Sequence, residues 1–350
     1  MIINLKSKAA VLFKTNEDLK IINIELPRKL FFGQLVVKLI YSGICGSQLG
    51  EITGIKGKDK HLPHLLGHEG VGEVINIHDS VKKIKKNDLV LLHWMPSRGI
   101  NSAPPLYGYK GRIINAGNLT TFNEYAVVSE NRVTKLDKNK FDVKKSLLLG
   151  CTSSTAIGSL VNLAKLEKNK DLIVCGCGAV GLSIVSAASF FGSKNIVAVD
   201  IEDKKLDLAK KLGANFLINI KKKKLLSEIG IRYPRGVDYF FECTGNIKNI
   251  SDGYECLNTF GKLILIGVPR YKEKAKFYTL DLHLGKKIYG SKGGNFDPDV
   301  DINYFYKIIN SKIFKFSDHI TKEVKLEDLN EVFFKMKNGN ILGKYIINFN

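Results

Sequence analysis

No uninterrupted apolar run in the 350 residues approaches the ~20 that a membrane helix needs. The opening Met1-Ile2-Ile3-Asn4-Leu5-Lys6 also lacks the length and small-residue cleavage site of a secretory leader. A protein that meets no membrane and works in the cytoplasm is therefore expected. Six cysteines are too few and too scattered for a compact disulfide framework, which fits the same reducing compartment. Acidic residues are the minority, 34 against 54 basic, for a net charge of +20. A basic excess can mark a nucleic-acid partner, yet only seven of the 54 are arginine, and the richness in Lys, Ile and Asn reads as the bias of an AT-rich genome. No nucleic-acid partner is expected; Lys221-Lys222-Lys223-Lys224 reads as a solvated helix start or loop, though part of the excess could assist an anionic substrate.

What is present is ordinary for a globular chain: 44% apolar residues, and enough length for two domains with separate cores. Short β-like runs punctuated by Gly and Pro come first, at Leu35–Ile40, Gly72–Ile77 and Asp88–Leu92, as in an antiparallel barrel. From about Ser153 strands and helices alternate, the pattern of a parallel sheet. That part should end near Lys292-Gly293-Gly294-Asn295, and Leu326 to Met336, followed by Gly339, reads as a late helix of the first domain. The expected division is residues 1–152 with 297–350, and residues 153–296.

Three residues scattered over about a hundred positions suggest a metal centre: Cys45 in Ser42-Gly43-Ile44-Cys45-Gly46-Ser47, His68 in Gly67-His68-Glu69-Gly70-Val71-Gly72, and Cys151 in Leu149-Gly150-Cys151-Thr152-Ser153-Ser154. Two thiolates and one imidazole hold catalytic zinc with a coordination position open, whereas structural zinc takes four protein ligands. Bound there, an alcohol would lose its proton near neutral pH and release hydride.

A nucleotide site follows. Cys175-Gly176-Cys177-Gly178-Ala179-Val180-Gly181 is a G-x-G-x-x-G between the apolar run Leu172-Ile173-Val174 and a small-residue stretch to Phe191. Gly176 would permit the tight turn, Gly178 the approach of a pyrophosphate, and Gly181 close helix-to-strand packing. The next strand, Asn195–Val199, ends in Asp200, where an acid can accept hydrogen bonds from an adenosine ribose. Its carboxylate favours NAD over NADP, with Lys204 and Lys205 nearby to soften repulsion of a 2′-phosphate.

Together these motifs resemble the zinc-containing medium-chain dehydrogenase/reductase family, the alcohol and polyol dehydrogenases, over essentially the whole chain. Lys211-Leu212-Gly213-Ala214, Gly236-Val237-Asp238, Phe241-Glu242-Cys243-Thr244-Gly245, Gly261-Lys262-Leu263 and Ile266-Gly267-Val268-Pro269 extend the likeness. It implies an α/β protein with a GroES-like β-rich catalytic domain interrupted by a Rossmann domain, a doubly wound parallel sheet. It also implies one catalytic zinc on Cys45, His68 and Cys151, and cofactor contacts at Gly176, Gly178, Ala179, Val180, Gly181, Asp200, Lys205 and Gly267. Ser47 matches the family's hydroxyl proton relay, with a turn serine as the alternative, and Glu69 matches a carboxylate behind the metal, with a structural role as the alternative. Lys344 stands where the family often has a cationic pyrophosphate contact; the alternative is an exposed lysine. A homodimer or homotetramer joined near Leu282–Gly290 is implied as well.

Departures from the family pattern are informative. Gln48 replaces an Asp that orients the zinc-bound His in many members; its amide oxygen can accept the imidazole N–H but carries no charge. Gly46 and Gly50 replace a basic phosphate contact and a relay His of some members. No cysteine lies between Leu92 and Phe122, so the four-cysteine structural zinc lobe is missing. A polar and aromatic loop from His93-Trp94 to Asn115–Asn118 stands in its place and should border the substrate; His93 reads equally as a catalytic pocket residue or a satisfied core histidine, and Trp94 as packed. His61 and His64 read as loop residues. The activity this supports is zinc-dependent oxidation of a CH–OH group, on a polyol or sugar derivative, by NAD. Alternatives are a simple or aromatic alcohol dehydrogenase, a zinc-free quinone or enone reductase on the same scaffold, and a non-catalytic nucleotide-binding protein.

Overall fold

The computed structural model describes residues 5–350, so the opening Met1 to Asn4, expected not to be a leader, lies outside the described residues. The chain forms two units, residues 1–151 with 297–306 and 322–350, and residues 152–296 with 307–321.

The first unit is built on antiparallel strands. Its longest, Gln34–Gly43, pairs with Glu69–Ile77, Tyr125–Ser129 and Lys344–Asn348. Leu35, Val37 and Leu39 enter one core cluster and Val36 another. Both faces of this strand are therefore covered, and the period-2 alternation of side chains sorts its apolar run between two cores rather than between core and water. Glu69–Ile77 pairs in turn with Leu89–His93, bringing Glu69 opposite His93. A second sheet runs through His64–Leu65, Lys6–Leu12, Lys20–Glu25, Tyr107–Tyr109 and Arg112–Ile114. The late helix is a 3₁₀ turn, Leu326–Asp328, leading into an α-helix, Leu329–Lys337. It buries Leu329, Val332 and Phe333 against Phe122 and Ile347.

In the second unit six strands pair in parallel, in the order Phe216–Asn219, Asn195–Asp200, Asp171–Cys175, Val237–Glu242, Leu257–Leu265 and Lys287–Gly290. The first strand in sequence lies inside the sheet and the order runs outward from it both ways, which is the doubly wound arrangement with its switch point beside Asp171–Cys175. One segment differs from expectation. Residues 307–321 belong to this unit, not the first, because His319 is buried on Phe314 with Nε2 2.9 Å from Ser186 Oγ, and Lys315 Nζ donates to Lys211 O at 2.6 Å. Lys221 to Lys224 are exposed and lead into the helix Leu225–Arg232, with Lys221, Lys222 and Lys223 paired to Glu202, Asp203 and Glu228. Among the described residues no single helix is long and apolar enough to cross a membrane.

Candidate metal centre and nucleotide site

Three separate segments deliver the three candidate ligands. Cys45 follows the Gln34–Gly43 strand and caps the short helix Gly46–Ile52. His68 directly precedes the strand Glu69–Ile77 and is turned into place by Gly67 at φ +90°, where a Cβ would lie 2.4 Å from Thr121 Oγ1. Cys151 follows the buried 3₁₀ turn Leu147–Gly150. Their donor atoms lie within 4.8 Å of one another. Sulfurs and an imidazole nitrogen at zinc bond lengths stand ~3.5–3.8 Å apart around a tetrahedral ion, so the set fits zinc with a small contraction. Among the described residues it has three members and no fourth.

The electrostatics of the set suit a cation. Cys45 is pulled well below the ordinary thiol range by the hydrogen bond from Cys151, with His68 and Lys344 adding to it despite burial. Cys151 moves the opposite way, as the donor to Cys45 and by burial. The two shifts belong to the pair, because each sulfur's hydrogen bond to the other moves both titrations at once. Burial opposes a charge on His68, but the hydrogen bond to Cys45 and its charge outweigh this and raise the imidazole pKa.

Behind the ligands lies Glu69, fully buried. Space for it is left by two glycines: a Cβ on Gly43 would sit 2.5 Å from the Glu69 carboxyl carbon, and one on Gly150 2.7 Å from its Cβ. Oε1 is ion-paired with Lys344, and Oε2 is buried without a hydrogen-bond partner. Lys344 is thus neither a surface lysine nor a free cation for a pyrophosphate. It is 2% exposed and committed to Glu69, and the charges of Glu69, Cys45 and Cys151 hold its pKa up although burial works against it. Nothing in the local sequence signals that pairing. Ser47 is half-buried, with Oγ 3.5 Å from His68 Nδ1. Gln48 is buried; its Oε1 accepts the Cys45 N–H at 2.9 Å and its Nε2 lies against His68 Nδ1.

His93 does not join the site. It is fully buried, with Nδ1 2.7 Å from Met95 O and Nε2 3.0 Å from Thr134 Oγ1. Both ring nitrogens are used, and burial pushes its pKa down to about 4, which leaves a core histidine and removes it from the catalytic candidates. Trp94 is half-buried and its carbonyl accepts from Arg132. The loop that replaces the structural zinc lobe is pinned by carboxylates: Glu130 accepts the N–H groups of Lys82, Lys83 and Ile100, and Asp299 accepts that of Arg98. His61 is exposed, and His64 bridges Asp59 and Leu65 O, both at 2.8 Å.

In the second unit the glycine-rich turn links the strand Asp171–Cys175 to the helix Ala179–Phe190. Gly176 has φ +96°, and a Cβ on Gly181 would lie 1.9 Å from Gly176 O. Gly178 caps the helix and its missing side chain faces open space, the cradle an anion needs beside unpaired helix N–H groups; Ala179 and Val180, half-buried, open that helix. Asp200 organises the turn as well as facing it: Oδ2 accepts the Cys177 N–H at 2.7 Å, and Oδ1 accepts those of Ile201 and Glu202. Lys205 is half-buried and near enough for its charge to act on Cys177. Gly267 packs on Gly245, where a Cβ would lie 2.1 Å from the Gly245 nitrogen. Burial raises the thiols of Cys175, Cys177 and Cys243, so they pack rather than react.

Residues 32–138 match the model of the alcohol dehydrogenase GroES-like domain, and residues 179–310 that of the zinc-binding dehydrogenase. Alcohol dehydrogenase-like 3 of Arabidopsis thaliana is 28% identical over 96% of this chain and 94% of its own length. Among solved structures, benzyl alcohol dehydrogenase from Acinetobacter calcoaceticus superposes with a TM-score of 0.87 at 26% identity, covering 99% of this chain and all of that one. 2R,3R-butanediol dehydrogenase from Bacillus subtilis gives 0.79 at 25%, covering 98% and 100%. The chain belongs to the zinc-type medium-chain dehydrogenase/reductase family. It is an oxidoreductase of the alcohol dehydrogenase type, with a GroES-like domain and a Rossmann-type parallel-sheet domain.

Proposed function

We infer that the protein transfers hydride between the CH–OH group of a polyol or sugar-derived alcohol and NAD, using one zinc ion held by Cys45, His68 and Cys151. The observation that carries this reading is the convergence of those three donors within 4.8 Å of one another. Zinc in such a set lowers the pKa of an alcohol hydroxyl, and a nicotinamide nucleotide accepts the hydride. The chain's own residues do the rest. Ser47, beside the ligands, passes the released proton toward solvent. Glu69, braced by Lys344, keeps an unpaired carboxylate oxygen behind the centre that tunes its charge. Gly176, Gly178 and Gly181 with the helix start at Ala179 and Val180 receive the pyrophosphate, with Gly267 and Lys205 flanking, and Asp200 selects NAD over NADP.

Support for a hydrophilic substrate comes from the polar loop that replaces the structural zinc lobe and from the net charge of +20. A simple or aromatic alcohol is the second reading, favoured by the likeness to a benzyl alcohol dehydrogenase. Against a zinc-free reductase stands the preserved donor set, which that chemistry does not need. A homodimer or homotetramer fits the position of Lys287–Gly290 as the last strand of its sheet, next to exposed Leu282 and Leu284. Six free cysteines fit the cytoplasm.

The test is reduction of NAD and of NADP by the zinc-loaded protein over simple alcohols, aromatic alcohols, polyols and sugar phosphates. Saturable turnover of polyols or sugar phosphates with NAD is expected; turnover confined to simple or aromatic alcohols would reject the hydrophilic substrate. At a zinc concentration that loads the wild type, Cys45→Ser should lower bound zinc to trace and turnover by on the order of a thousandfold, and full retention of both would sink the zinc assignment.

A further inference from the structure

The buried amide of Gln48 touches two groups, and the chemistry of its two ends conflicts with metal binding at one of them. The backbone N–H of Cys45 can only donate, and Gln48 Oε1 accepts it at 2.9 Å. Gln48 answers with its own N–H to Cys45 O at 3.1 Å, so both ends of the residue are tied to Cys45. That leaves the amide NH₂, which has only donors, against His68 Nδ1. Nδ1 must then be the accepting nitrogen, and a neutral ring carries its proton on Nε2. With Nδ1 engaged by Gln48, Nε2 is the nitrogen left for the two sulfurs.

A metal ligand needs the reverse: a bare Nε2, with the proton on Nδ1 donated to an acceptor behind it. In that state Nδ1–H would face the amide NH₂, donor against donor, with only the more distant Ser47 Oγ, 3.5 Å away, as an acceptor. Turning the amide over relieves the clash but sets NH₂ against the Cys45 N–H and strands a buried donor, Gln48 being only 1% exposed. A carboxylate would accept from both partners at once, whereas an amide satisfies one. The geometry points to Gln48 as a positioning residue that holds His68 in the tautomer opposed to ligation, so that zinc at this centre is held weakly and exchanges. This rests on the zinc reading above and adds to it a metal occupancy that follows zinc supply.

Gln48→Glu is isosteric and replaces the donor by an acceptor. In competition with a chromophoric chelator, Gln48→Glu should retain zinc about ten- to a hundredfold more tightly than the wild type, the range over which partners behind a ligand act. Because added charge alone could tighten binding, a second readout is needed: ¹⁵N NMR of His68 in the metal-free wild type. The proton is expected on Nε2, moving to Nδ1 in Gln48→Glu. A wild-type proton already on Nδ1, or equal zinc affinity in both proteins, would overturn the inference while leaving the zinc centre intact. If zinc fails to protect Cys45 and Cys151 from alkylation in either protein, the zinc reading itself falls, and the NMR measurement still decides the tautomer.

Discussion

At Cys45 one residue leaves a strand, caps a helix and offers a sulfur, and its neighbours are arranged around that sulfur rather than around solvent. The same economy governs Glu69 and Lys344, two charges with side chains 0% and 1% exposed. Removing one charge from such a pair leaves the other buried without compensation, which costs about 3–5 kcal/mol. Lys344→Met should therefore lower unfolding free energy by about that amount in urea denaturation, and Glu69→Gln added to it should restore much of the loss. If the single variant is as stable as the wild type, the pair is not the buried partnership described here.

Among elements, the strand-turn-helix from Asp171 to Phe190 is the most constrained. Gly181 lies so close to Gly176 O that a methyl group cannot fit without moving the helix from the strand. Gly181→Ala should cost roughly 1–3 kcal/mol of stability, the usual range for overpacking, whereas Gly178→Ala, whose Cβ would meet no protein atom within 4 Å, should leave stability near the wild type and weaken nucleotide binding by filling the anion cradle. Calorimetric titration with NAD and thermal melts of the two variants separate the effects: equal destabilisation by both would contradict the packing argument. The Gln34–Gly43 strand shows a different constraint, since alternate residues serve two cores and a one-residue slip would exchange them.

For the whole molecule, two buried histidines tie stability to pH. His93 and His319 are each pushed down to about 4 by burial, below the ordinary value of about 6.5 in the unfolded chain. The unfolded state binds their protons first as pH falls, so their stabilising contribution is complete above pH ~6.5 and drains away down to pH ~4. Between pH 7 and 5 each should account for about 2 kcal/mol of lost stability. Urea titrations at the two pH values test this, and a His93→Gln variant with an undiminished slope would refute it for that residue. Assembly is the other molecular property open to test. Light scattering should give at least twice 39.0 kDa, with Leu284→Glu, at an exposed position before the last strand, shifting the mass toward one chain; a monomeric wild type would exclude the edge as an interface.

Much of this protein is local, and local features can be read from sequence. Each candidate ligand sits in its own short motif, and the glycine-rich turn, its flanking strand and helix and Asp200 all fall within 30 consecutive residues. A short motif whose glycines and turns are dictated by neighbouring residues is recognisable along the chain, so the family, the Rossmann-type sheet and the donor set were all legible. Tertiary structure decided the residues whose partners are distant. Lys344 meets Glu69 across 275 positions and His93 meets Thr134 across 41, and residues 307–321 lie with the second unit, where His319 meets Ser186 and Lys315 meets Lys211. Sequence offered Gln48 as an acceptor for the imidazole, but the fixed donor at Cys45 N–H claimed its oxygen first. Chain order sets which groups exist and what short segments do; which donor meets which acceptor in the interior is settled only when packing removes water as the alternative partner.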